Sequence, residues 1–184
     1  MITHLVSLLP GDSRGTLVAV DGATVSGLSS QLRRLPKDAT HLVISIGGND
    51  ALANIDLLSL RASGSAEVLK VFATRITAFE RAYRSAIAEA MSHDLPVTVC
   101  TIYNGALEKD IATIARLALA LFNDVILRTA ADRRLDVIEL RAICVEAADY
   151  ANPIEPSGPG GLKIAKAIVR AIEGQGQVSR VFAG

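Results

Sequence analysis

The residues whose types and spacing best suit chemistry are Gly47-Gly48-Asn49-Asp50, which follow directly on the apolar run Leu42-Val43-Ile44-Ser45-Ile46. A short continuous apolar run rich in β-branched residues reads as a strand buried on both faces, and the glycines mark its end. In open α/β sheets the carboxyl ends of the strands face a crevice where ligands bind. The bare backbone at Gly47 and Gly48 lets a ligand come close, and the Asn49 amide offers it N–H donors. Asp50 follows that donor at once, which suits it to orienting loop amides rather than to acid chemistry. Tyr103-Asn104, at the end of a second apolar run, deliver side chains to the same crevice. The alternative is a plain turn, for which Gly, Asn and Asp are the usual residues.

These residues need elements to position them. Four apolar, β-branched runs predict strands over Thr16 to Val20, His41 to Ile46, Pro96 to Ile102 and Asp136 to Ile143. Between them, Ile76, Phe79, Tyr83, Ile87 and Ala90 recur at helical spacing, and Ile114, Leu117, Leu121, Val125 and Ile126 form a wider stripe in a helix from about Ile111 to Arg133. A last helix is expected after Gly160-Gly161, stopped by Gly174. The stretch from Asn54 to Val71 reads as a loop plus a short helix, and the tail from Gln175 to Gly184 as a frayed end or an edge contact. Strand alternating with helix predicts an α/β fold, a mainly parallel sheet covered on both faces.

Composition sets the outer bounds. The 184 residues suit one domain with a real core. Nineteen basic residues balance nineteen acidic ones, which removes the footprint of a nucleic-acid binder. No apolar run approaches the roughly 20 residues of a spanning helix, and the N-terminus lacks the basic region of a secretory signal. A cytoplasmic protein is the expectation. Cys100 and Cys144 lack metal-ligand spacing and read as buried, inert thiols, with no metal or cofactor implied. His4, His41 and His93 read as surface residues.

The Gly47-Gly48-Asn49-Asp50 element, the preceding Asp21-Gly22-Ala23-Thr24 and the late Pro156-Ser157 and Gly160-Gly161 before the final helix resemble the SGNH, or GDSL-type, hydrolases. That resemblance spans roughly Thr16 to Ile172. It implies a three-layer α/β/α, flavodoxin-like fold and the cleavage of carboxylic esters, thioesters or acetyl groups on sugars. It makes Asn49 a donor to a developing oxyanion and the Gly22 N–H a second, with Gly27 as the fallback, and places Gly48, Asp50 and Tyr103 against substrate.

The nucleophile and acid-base blocks depart from the family pattern. Gly11-Asp12-Ser13 spells the nucleophile tripeptide, yet only Arg14 and Gly15 separate Ser13 from the predicted Thr16 to Val20 strand, while a parallel connection takes a dozen or more residues. One reading makes His4 to Leu9 the last turns of a helix. Ser13 then sits in a loop at the sheet end opposite the crevice, and the chain resembles a family member that begins inside the first helix and lacks the first strand. The competing reading makes residues 3 to 9 a strand in a tight hairpin and keeps Ser13 as nucleophile. In the acid-base block, one register puts Glu155 in the histidine position and Asn152 in the aspartate position. A second keeps Asp149 as the aspartate and puts Asn152 in the histidine position. Glu155 serves as a base only in dry surroundings that raise it toward neutrality. The alternative for this loop is a rigid turn bounded by Pro153, Pro156 and Pro159 that caps the last helix. An incomplete sheet exposes an unpaired edge, which allows a homodimer.

Overall fold

The computed structural model describes residues 1–174. Its elements, in chain order, are α1 (Ile2–Leu8), a 3-10 turn (Val25–Gly27), α2 (Leu28–Leu32), β1 (Leu42–Ile44), α3 (Gly48–Leu52), a second 3-10 turn (Ile55–Ser59), α4 (Ser65–Met91) and β2 (Val97–Cys100). They continue with α5 (Lys109–Arg133), β3 (Asp136–Ile138), α6 (Leu140–Ile143), a third 3-10 turn (Ala147–Asp149), β4 (Tyr150–Asn152), β5 (Glu155–Pro156) and α7 (Gly158–Ile172).

The sheet is parallel in the order β1-β2-β3, with Leu42 opposite Val97 and Val99 opposite Val137. Because side chains alternate across a strand, it feeds two separate cores. Leu42, Ile44, Val97 and Val99 pack with Phe79, Tyr83, Ile87, Phe122, Val125 and Ile126 of α4 and α5. On the other face Val43, Cys100 and Ile138 meet Leu5 of α1, Leu140 of α6 and Ile164 and Ile168 of α7. Three layers result, as the resemblance implies.

Several boundaries correct the sequence reading. Ile2–Leu8 is helical, which removes the hairpin reading of residues 3 to 9. Thr16 to Val20 carries no strand pairing, and Leu17 and Val20 are 55% and 51% exposed. A strand exists only through a neighbour's hydrogen bonds, and composition cannot supply the neighbour. Asp136 to Ile143 divides into β3 and α6 because the Glu139 side chain accepts from Arg141 N and caps a helical turn there. The helix expected around Ile76 begins earlier, at Ser65, and α7 begins at Gly158 rather than after Gly161. At α7 the Ser157 hydroxyl accepts from Gly160 N at 3.2 Å and Pro159 occupies the first turn. The expectation for Gln175 to Gly184 falls outside the described residues.

Leu42 N donates to Pro96 O, so Leu42 and Ile44 spend their backbone groups on β2 and those of Val43 point away from it. Among the described residues no strand covers that edge of β1.

Candidate active site

A cavity of about 330 Å³ opens at the carboxyl ends of β1 and β2. Its lining includes the polar or backbone-donating residues Asp21, Gly22, Ser45, Gly48, Asn49, Tyr103, Asn104 and Glu155. Chain segments distant in sequence therefore meet where parallel strands end.

The turn after β1 is built around Gly47, whose φ of 112° favours glycine and whose Cβ would lie 3.2 Å from Phe79 and 3.4 Å from Ile102. This buried turn starts α3 and presents Asn49 in its first turn. Asn49 Nδ2 donates to Ala23 O at 3.0 Å, and Asp50 Oδ2 accepts from Val25 N at 3.0 Å. Two bonds thus clamp the 21–25 segment to the turn and leave Asn49 a second N–H. Burial pushes the Asp50 carboxyl up, partly offset by the Val25 N–H.

Gly22 has φ 73°, and its N–H donates to Asp21 Oδ1 at 2.9 Å. Asp21 must turn aside before that N–H can reach a ligand. Gly27 closes the first 3-10 turn, donating to Thr24 O, and does not line the cavity.

Glu155 arrives on the β4–β5 hairpin. Asn152 Oδ1 accepts from Ile154 N and Glu155 N, while Asn152 Nδ2 donates to Glu155 Oε2 at 2.6 Å. The hairpin docks through Tyr103, whose hydroxyl donates to Ile154 O at 2.9 Å, and through Ala106 N, which donates to Pro153 O. Gly105, at φ 72°, lets that approach happen, since a Cβ would lie 2.5 Å from Pro153 O. Burial pushes the Tyr103 hydroxyl up to about 12. Glu155 itself is exposed, so the dry surroundings expected around it are not those of this hairpin. Asn152 touches Glu155 without lining the cavity.

Asp149, the aspartate of the second register, is 1% exposed and does not line the cavity. Its carboxylate accepts from Glu146 N at 3.0 Å and pairs with Lys163 at 2.8 Å, and the Lys163 ammonium holds it below the usual carboxylate range.

Ser13 lies on an exposed turn in which its N–H donates to Pro10 O. The adjacent Arg14 pairs with Asp38, in the segment leading into the amino end of β1, whereas Asn49 follows the carboxyl end. Ser13 does not line the cavity. His41 and His93 are exposed, His4 is half-buried, and none lines the cavity. Among the described residues no cluster of three or more His, Cys, Asp or Glu is placed to hold a metal ion.

Two contributors escaped the sequence reading. Asn123, fully buried on α5, accepts from Ile102 N at 2.7 Å and donates to Ile102 O at 3.0 Å, fixing the segment that presents Tyr103. Its signal was an amide among the apolar residues of that helix. Ser45 lines the cavity near Cys100, whose burial pushes its thiol up to about 12, with the Ser45 hydroxyl offsetting this in part. Inside an apolar run Ser45 reads only as a strand residue.

This geometry is that of a ligand crevice at the ends of parallel strands in a three-layer α/β/α fold, and comparison with known proteins gives the family. Residues 3–159 match the GDSL-like Lipase/Acylhydrolase family, and the chain belongs to that family. No curated protein matches it. Among solved structures it is similar to an extracellular lipase from Streptomyces rimosus (15% identity, TM-score 0.59, covering 82% of this chain and 77% of the lipase). It is also similar to an acetyl xylan esterase, AlAXEase (18%, 0.61, 83% and 78%), and to a GDSL-like lipase from Bacteroides thetaiotaomicron (16%, 0.60, 83% and 72%). Identities this low carry the fold alone. Among the described residues no helix is long and apolar enough to cross a membrane.

Proposed function

We propose that the chain binds small carboxylic esters in this cavity and hydrolyses them, with the ester carbonyl at Asn49 and with Glu155, exposed in the free protein, acting as base once a bound ester shields its carboxylate from water. The observation that carries this is the meeting of Asn49, Gly22 and Glu155 around one cavity. The Asn49 N–H not spent on Ala23 donates to the carbonyl oxygen as negative charge develops on it. With Asn152 on Oε2 of Glu155, Oε1 accepts a proton from a water that attacks the carbonyl carbon. The tetrahedral intermediate collapses, and the alcohol leaves with that proton. Ser13 has no part in this scheme, since its turn is anchored at the opposite end of β1.

Hydrolysis of short-chain aryl esters tests it. Asn49→Ala is expected to lose about 10²–10³ in rate and Glu155→Gln about 10²–10⁴, with Ser13→Ala unchanged. Wild-type turnover that survives both Asn49→Ala and Glu155→Gln would overturn the scheme. A second reading, ester binding without turnover, is favoured by the exposure of Glu155. It predicts no wild-type hydrolysis but calorimetric binding of a carboxylate that Asn49→Ala weakens.

A further inference from the structure

The cavity lining combines the polar residues described above with an apolar set. One face of α5 supplies Ile111, Ala115, Ala118 and Leu119, spaced as successive turns of a helix present them. Leu58, on the second 3-10 turn, and Phe72 of α4 add to that apolar lining. The lip is apolar as well as the wall: Ile55 and Ile111 both line the cavity, yet are 60% and 51% exposed to water. Apolar surface held open at the mouth of a concave site marks a place where a ligand displaces water.

We propose that this wall is a groove for an unbranched acyl chain longer than acetyl, running from a carbonyl at Asn49 along α5 toward Ile111. The two alanines make the room. At 115 and 118 the side chains are single methyl groups, both half-buried and both on the lining, so they leave space along α5 between Ile111 and Leu119. A carbohydrate would need hydrogen-bonding partners along this side, and the α5 face has none. The groove rests on the ester reading only for the position of the carbonyl, since the wall binds hydrocarbon whether or not turnover follows.

The test is calorimetric binding of acetate, butanoate, hexanoate and octanoate, alongside hydrolysis of the matching p-nitrophenyl esters. Each added methylene is expected to tighten binding by about fourfold until the groove is full, the ratio set by about 0.8 kcal/mol per buried methylene. Ala115→Phe and Ala118→Phe fill space in the cavity rather than in the core, and each is expected to abolish the gain beyond butanoate. Leu119→Ala, which widens the groove, shifts the best chain to a longer one and keeps the argument testable if a phenylalanine variant fails to fold. A flat series in the wild type, or a chain-length gain that survives both phenylalanine variants, overturns the groove. Chain-length-dependent binding without ester turnover leaves the groove standing and removes the hydrolytic scheme, so the two failures are distinguishable.

Discussion

Gly160 is in van der Waals conflict with any larger residue: a Cβ built on it would lie 2.1 Å from the Asp149 carbonyl, whereas Gly158, in the same first turn of α7, faces open space. That contact exists because Asp149 O also accepts from Ser157 N, drawing the third 3-10 turn against the start of α7. Gly160→Ala is therefore expected to lower stability by about 3 kcal/mol, at the upper end of overpacking costs, and Gly158→Ala to change it by no more than about 0.5 kcal/mol. Urea denaturation of the two variants decides it, and equal losses would show that α7 shifts to accommodate the methyl group. The pair also separates two glycines that sequence reading treats alike, since both stand in a Pro-bounded segment before a helix.

Elements depend on partners that lie elsewhere in the chain. Val43 and Ile44 are neighbours in β1, but only Ile44 directs its N–H toward β2. Hydrogen exchange is expected to be fast at the Val43 amide and slow at Ile44; equal protection would mean that something covers the free edge of β1. Helices α4 and α5 are joined across their exposed sides by Glu80, which accepts from both Arg128 and Arg84, while Arg84 also reaches Asp132. The Arg128 guanidinium, with Arg84 second, holds the Glu80 carboxyl at about 2. A depressed carboxylate contributes stability above its unfolded value, near ~4.3, and that contribution is lost as pH falls toward about 2. Glu80→Gln is expected to cost about 0.5–1 kcal/mol at neutral pH, a value set by solvent screening of a partly exposed network. Thermal melts between pH 6 and 2 check the sign, for the gap between wild type and variant must close toward the acid end.

At the scale of the whole molecule, two cores share one three-stranded sheet, and they differ in what they secure. The core beneath α4 and α5 contains Ile87, Val125 and Ile126, all 0% exposed, and supports the floor of the cavity through Phe122. Ile87→Ala is expected to destabilise by about 3 kcal/mol, while Leu117→Ala, at 69% exposed on α5, costs little. Equilibrium unfolding of both variants tests whether burial, rather than the helical stripe, decides the cost. The stripe read from the sequence included Ile114, Leu117 and Leu121, which are 53%, 69% and 40% exposed. Periodicity reports that a helix has an apolar side, but not how much of that side a neighbour covers.

The sequence by itself determined the alternation of parallel strands and helices, the turn at Gly47 to Asp50 and the family resemblance, because hydrophobic period and glycine geometry act over a few residues. Its reason for separating Ser13 from the crevice was the short connection to a strand at Thr16 to Val20; that strand does not form, and Ser13 is absent from the cavity lining for another reason, its turn lying beside Asp38 ahead of β1. Only the tertiary structure decided that Thr16 to Val20 forms no strand, that Gly22 gives its N–H to Asp21, that Glu155 is exposed and that Ser45 and Asn123 join the site. Each of those depends on which distant group arrives to pair, bond or bury, and local sequence carries no record of that arrival.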